Sequence, residues 1–136
     1  MGRVISIDYG SKRVGLAVTD PLKIIASPLD TVHSKDVENY LKEYFNNEEV
    51  EAIVVGMPKN LNNEDTNATP LVQAFVNRIK KVFSDKQIVL HDERFTSKMA
   101  FDAMIMSGSK KKDRQQKGNI DKVSAAIILQ SYLDSI

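Results

Sequence analysis

Two hydrophobic periods divide this chain. Val4–Ile7 and Arg13–Val18 are short apolar runs rich in Val and Ile. They read as strands joined by the turn-forming Tyr9-Gly10-Ser11-Lys12. Ile24–Leu29 is a shorter third strand, and its Pro28 suits a sheet edge. The spacing then changes. Val37, Tyr40, Leu41, Tyr44 and Phe45 fall on one helical face, with Ser34 as the N-cap. Ala52-Ile53-Val54-Val55-Gly56 is apolar throughout, as expected of a parallel strand covered on both faces. A polar loop from Met57 to Thr69 follows, and Pro70 opens a second helix carrying Leu71, Val72, Phe75, Val76, Ile79, Val82 and Phe83. Gln87–His91 is a fifth strand. Ser97–Met106 reads as a short helix closed by Ser107-Gly108, and a last helix runs from Asp121 or Lys122 to Leu133.

The resulting order, β-β-β-α-β-α-β-α-α, predicts an α/β fold: a five-stranded mixed sheet with helices on both faces. The length of 136 residues fits a single domain spanning 1–136, and no internal repeat is visible. The chain has no Cys, which excludes disulfides, thiolate metal sites and Cys nucleophiles and suits a reducing cytoplasm. No apolar run reaches membrane-span length, and an acid arrives too early for a signal-peptide core, so a cytoplasmic location without membrane contact is expected. Net charge is only +1, but its distribution is uneven. Lys110, Lys111, Lys112, Arg114 and Lys117 face one acid, Asp113, so a flexible basic loop at about 108–119 carries +4 and the remainder −3.

Three acids fall at comparable places. Asp8 ends the first strand, Glu93 follows the fifth, and Asp121 opens the last helix. Sites in open α/β sheets form beyond the carboxyl ends of parallel strands, here the first, fourth and fifth. A charge at such a rim is costly unless a cation meets it. Carboxylates are hard ligands suited to Mg²⁺ or Mn²⁺. Two such ions about 4 Å apart can clamp a phosphoryl displacement. Each acid also has a plainer reading. Asp8 could bond its own turn, Glu93 could pair with Arg94 or Lys98, and Asp121 could simply cap its helix. His91 reads as a half-buried strand-end residue. Spacing alone leaves these alternatives open.

The motifs taken together resemble a known family. Ile7-Asp8-Tyr9-Gly10 with Arg13-Val14-Gly15-Leu16-Ala17, then Val54-Val55-Gly56-Met57-Pro58, His91-Asp92-Glu93-Arg94 and the segment Asp121–Leu133 resemble, in order, the YqgF/RuvX proteins. These are Holliday-junction-resolvase-like members of the ribonuclease H superfamily. The resemblance implies a ribonuclease H-like fold and a metal-dependent nuclease with catalytic, metal-holding acids at Asp8, Glu93 and Asp121. It implies one or two Mg²⁺ or Mn²⁺ ions and processing of the 5′ end of precursor 16S rRNA, with the ribosome or its precursor as partner. Resolution of branched DNA is the alternative it leaves. The sequence departs from superfamily resolvases where a fourth acid would stand, at Ser124 and Ala125 in the last helix. It also has Met99 where many relatives have an acid, and Asn62-Asn63-Glu64-Asp65 where they often have a Gly.

On this reading Lys110, Lys111, Lys112, Arg114 and Lys117 clamp the nucleic-acid backbone. Lys12 and Arg13 touch phosphates near Asp8, and Arg94 does so or braces Glu93. Two rival classes remain: a nucleic-acid-binding module without cleavage, and an actin-like ATP kinase, which would need a second such domain. A monomer and a homodimer are both compatible with the helix faces.

Overall fold

The computed structural model describes residues 2–58, 69–93 and 117–136, with backbone alone at Pro58, Thr69, Asp92, Glu93 and 117–120. Among the described residues the strands are β1 (Arg3–Tyr9), β2 (Arg13–Thr19), β3 (Ala26–His33), β4 (Val50–Pro58) and β5 (Gln87–Glu93). The helices are α1 (Val37–Asn47), α2 (Thr69–Val82) and α3 (Lys117–Asp134). The strands form one sheet in the order β3-β2-β1-β4-β5. β1–β2 and β2–β3 are antiparallel, while β1–β4 and β4–β5 are parallel, so the sheet is mixed as expected.

Alternation along β1 and β4 sorts their side chains between two cores. Ile5, Ile7, Ile53, Val55 and Met57 pack with Val37 and Leu41 of α1 and Val72, Phe75, Val76 and Ile79 of α2. Val4, Ala52 and Val54 face the other way and pack with Ala125, Ile128 and Leu129 of α3. Helices therefore cover both faces, and β4 is buried on both, which explains its unbroken apolar run. Ser6 follows the same parity: its buried hydroxyl donates to the Ala125 carbonyl at 2.6 Å, tying β1 to α3.

Three local expectations need correction. β3 begins at Ala26 and runs to His33, not from Ile24 to Leu29. The Asp20 carboxylate accepts from the amides of Ile24 and Ile25 at 2.8 and 2.9 Å, which bends that segment into a turn and leaves both side chains exposed. A register shift between Leu16 and Ala17 accommodates the edge strand that carries Pro28. Ser34 does not cap α1, which begins at Val37 behind Asp36. Its hydroxyl donates instead to the Ser11 carbonyl at 2.7 Å, and its amide to the Lys12 carbonyl at 3.1 Å, bracing the β1–β2 turn. Finally, α3 starts at Lys117, one turn before the expected Asp121, so the last residues assigned to the basic loop are helical. The expected helix Ser97–Met106 and the side chains of Arg94, Lys110, Lys111, Lys112 and Arg114 lie outside the described residues.

Candidate active site

The β1–β2 hairpin builds the site. Asp8 pairs with Gly15 and Tyr9 with Val14 across the two strands, so the chain reverses over Gly10-Ser11-Lys12. A side chain at Gly10 would meet the Arg13 carbonyl at 2.6 Å, so the tight reversal requires glycine there. The half-buried Asp8 stands at the carboxyl end of β1, the rim where α/β sheets carry their sites.

α3 crosses this hairpin from the other end of the chain. Its backbone at Asp121 lies directly on Gly15, and the Lys122 amide nitrogen would be 3.0 Å from a Cβ placed there. This close approach brings the two acids to one place. Asp8, Gly10, Ser11, Lys12, Arg13 and Asp121 line a cavity of about 240 Å³. Asp121 is not a helix cap: it lies in the second turn of α3 and accepts from Arg13 Nε at 2.6 Å. Their side chains are 22% and 47% exposed, so the pair sits at the cavity mouth.

Glu93 closes β5 opposite Pro58 of β4, at the same carboxyl rim as Asp8. It shares the sequence parity of His91 and Val89. Val89 packs with the core beneath α3, and His91 Nε2 lies 2.9 Å from the Ser131 hydroxyl of α3. His91 is half-buried as expected, but it does not end its strand, which runs on to Glu93.

The donors fit a divalent ion. Carboxylate oxygens suit Mg²⁺ or Mn²⁺, and the cavity has room for an ion with its waters at about 30 Å³ each. The contact of Arg13 with Asp121 shows that the cluster draws positive charge. No group of three His, Asp or Glu side chains forms among the described residues, where Glu93 contributes only its backbone. A larger cleft of about 390 Å³ opens on the opposite face between α1 and α2. Its single carboxylate, Glu38, is already bonded by Arg78 at 2.8 Å and flanked by Lys42.

Of the cations expected to meet nucleic acid, Lys12 and Arg13 line the acid cavity and Lys117 begins α3. The role of Gly15 was not foreseen. A glycine inside a strand often marks a close backbone approach, and that was the available signal. Among the described residues no helix is long and apolar enough to cross a membrane.

Comparison with known proteins agrees with this architecture. The sequence profile of the family described as "RuvX: Holliday junction resolvase" matches residues 2–135. A protein of Amoebophilus asiaticus, provisionally named a pre-16S rRNA nuclease, is 51% identical over 99% of this chain and 96% of its own. One of Flavobacterium johnsoniae with the same provisional name is 48% identical over 99% and 98%. Among solved structures, the Fowlpox virus resolvase, determined with Holliday junction DNA, superposes with a TM-score of 0.61 at 15% identity, over 98% of this chain and 97% of its own. T. thermophilus RuvC, in complex with a Holliday junction substrate, gives 0.53 at 17%, over 99% and 95%.

Proposed function

The chain belongs to the RuvX family and has a ribonuclease H-like fold, and on that premise we propose that it is a divalent-metal-dependent nuclease that trims the 5′ end of precursor 16S rRNA. One observation carries the reading. Asp8 and Asp121, from opposite ends of the sequence, line a single cavity beside Lys12 and Arg13. Rim acids beside cations are what phosphodiester hydrolysis needs: anionic ligands for a metal and positive charge for the backbone.

In this mechanism Asp8, on the central strand, is the most rigid ligand, and Asp121 closes the site from α3. Glu93 completes the set from the end of β5. When bound, a divalent ion supplies charge stabilisation to the phosphoryl oxygens and acidifies the attacking water. Lys12 neutralises the phosphate next to the scissile bond and holds it against the acids. Lys117 and the basic segment before it, Lys110, Lys111, Lys112 and Arg114, grip the flanking strand, and Arg94 steadies Glu93 or a phosphate. Full-length relatives with about half their residues identical support RNA as the substrate through their provisional name. The description of the family as Holliday junction resolvases supports branched DNA as the second reading.

The test is a cleavage panel of precursor 16S rRNA, single-stranded RNA and four-way DNA junctions with Mg²⁺ or Mn²⁺. The wild type should cut the precursor best. Asp8→Asn should lose on the order of 10²–10³ in rate, the several kcal/mol that metal-ion catalysis supplies. Cleavage by Asp8→Asn at the wild-type rate would refute the acid-metal mechanism, and preferential cutting of the junction would move the assignment to DNA.

A further inference from the structure

Arg13 stands first in β2, directly after the hairpin turn, and reaches across to Asp121, 108 positions later in the chain. The contact is a single hydrogen bond through Nε, not the two-pronged fork that makes arginine–carboxylate pairs rigid. Nearly half of the Arg13 side chain is exposed, so it can swing outward without disturbing the core. Asp121 is the more buried partner and shares its cavity with a second carboxylate, Asp8. Two acids at one rim repel each other and need a nearby positive charge. Arg13 and Lys12 both line that cavity, and Arg13 is the one bonded to Asp121.

We propose that Arg13 is a displaceable counter-cation: it holds Asp121 while the acid site lacks a metal, yields that carboxylate to a divalent ion, and then binds substrate phosphate. The proposal rests on the metal-site reading above and adds an order to it. Metal and guanidinium compete for one carboxylate, so metal loading releases the arginine for the backbone. The site thereby gains affinity for phosphate as it becomes competent to cut. Lys12, a point charge on a flexible stem, lacks the planar fork that would let it grip a phosphate through two bonds once released.

The competition has a measurable sign. An ordinary metal-supporting residue would weaken metal binding when removed, whereas a competitor strengthens it. An exposed ion pair of this kind corresponds to about a two- to fivefold change in an equilibrium constant. The full chain is titrated with Mn²⁺ by calorimetry as wild type, Arg13→Gln, Arg13→Lys and Asp8→Asn. Arg13→Gln should bind Mn²⁺ about two to five times more tightly than wild type, with Arg13→Lys between them. In parallel, binding of a four-way DNA junction is followed against salt with Ca²⁺ or with chelator. With Ca²⁺, Arg13→Gln should lower the slope of log affinity against log salt by about one. With chelator the two slopes should coincide, because the wild-type guanidinium is then engaged by Asp121.

Unchanged or weaker Mn²⁺ binding by Arg13→Gln, beside a wild type that binds Mn²⁺ and an Asp8→Asn that does not, would overturn the displacement proposal and leave the metal site intact. A wild type that takes up no more Mn²⁺ than Asp8→Asn would overturn the metal-site reading and the displacement with it.

Discussion

Gly15→Ala opposes two physical effects of different sign. Within a strand, alanine is worth roughly 0.5–1 kcal/mol over glycine, because glycine loses more freedom on folding. Gly15 lies in β2 between Val14 and Leu16, both fully buried, so propensity alone predicts stabilisation. The close approach of α3 predicts the reverse. A Cβ there would overlap the carbonyl group of Asp121 and stand 3.0 Å from the Lys122 nitrogen. Ordinary contact needs about 3.5–4 Å, so the start of α3 must retreat by roughly 1.5–2 Å. Overpacking of this kind costs about 1–3 kcal/mol. The retreat also stretches the 2.6 Å bond between Arg13 and Asp121, a partly exposed pair worth about 0.2–1 kcal/mol. Net destabilisation of about 1–3 kcal/mol should appear in urea or thermal unfolding as a Tm lowered by roughly 4–12 °C. Mn²⁺ affinity should fall as well, because Asp121 moves away from Asp8. A Gly15→Ala variant as stable as wild type or more so, with unchanged Mn²⁺ binding, would show that α3 does not rest on this glycine.

Two further substitutions probe the surroundings. Ser124 is fully buried, its hydroxyl has no partner among the described residues, and it lies one turn along α3 from Asp121. Ser124→Asp should cost about 3–5 kcal/mol in chelator, because it buries an unpaired charge. At Mn²⁺ a hundred times the wild-type dissociation constant, wild type should gain about 2.7 kcal/mol, and Ser124→Asp should gain more than that only if position 124 faces the metal; equal Mn²⁺ stabilisation of both proteins would place it elsewhere. On the opposite face, the Arg78 hydrogen bond holds the Glu38 carboxyl below its ordinary 4.5, with Lys42 adding to the effect. A lowered pKa stabilises the fold above the unfolded value, and that stability is lost as pH falls through the folded one. Glu38→Gln should therefore be less stable than wild type by under about 1 kcal/mol at pH 7, the discount reflecting the exposed Arg78. The gap should begin to close near pH 4.5 and vanish below the folded value; a gap constant from pH 7 to 3 would refute the ion-pair account.

The sheet was readable because its signals are local and strong. β1, β2 and β4 are Val- and Ile-rich runs bounded by turn formers, and the apolar spacing of α1 and α2 survives into their buried faces. The misread boundaries share one cause: a polar side chain found a partner that no local pattern specifies. Asp20 took the amides of Ile24 and Ile25 out of the strand, and Ser34 bonded to the turn at Ser11 in place of capping α1. Lys117-Gly118-Asn119-Ile120 has loop-like composition, yet it forms the first turn of α3, whose next residue is fixed against Gly15. The site follows the same division. Asp8 was legible as a charge at a strand end, and its position at the rim follows from the hairpin alone. What Asp121 does was not legible, because a cap and a cavity acid look identical until the helix start is known. An early start places Asp121 in the second turn, and only from there does its backbone meet Gly15 while its carboxylate meets Arg13. The glycine, the arginine and the acid are thus one arrangement: the missing side chain at 15 lets the helix approach, and the approach sets the carboxylate against a cation in the cavity that Asp8 also lines.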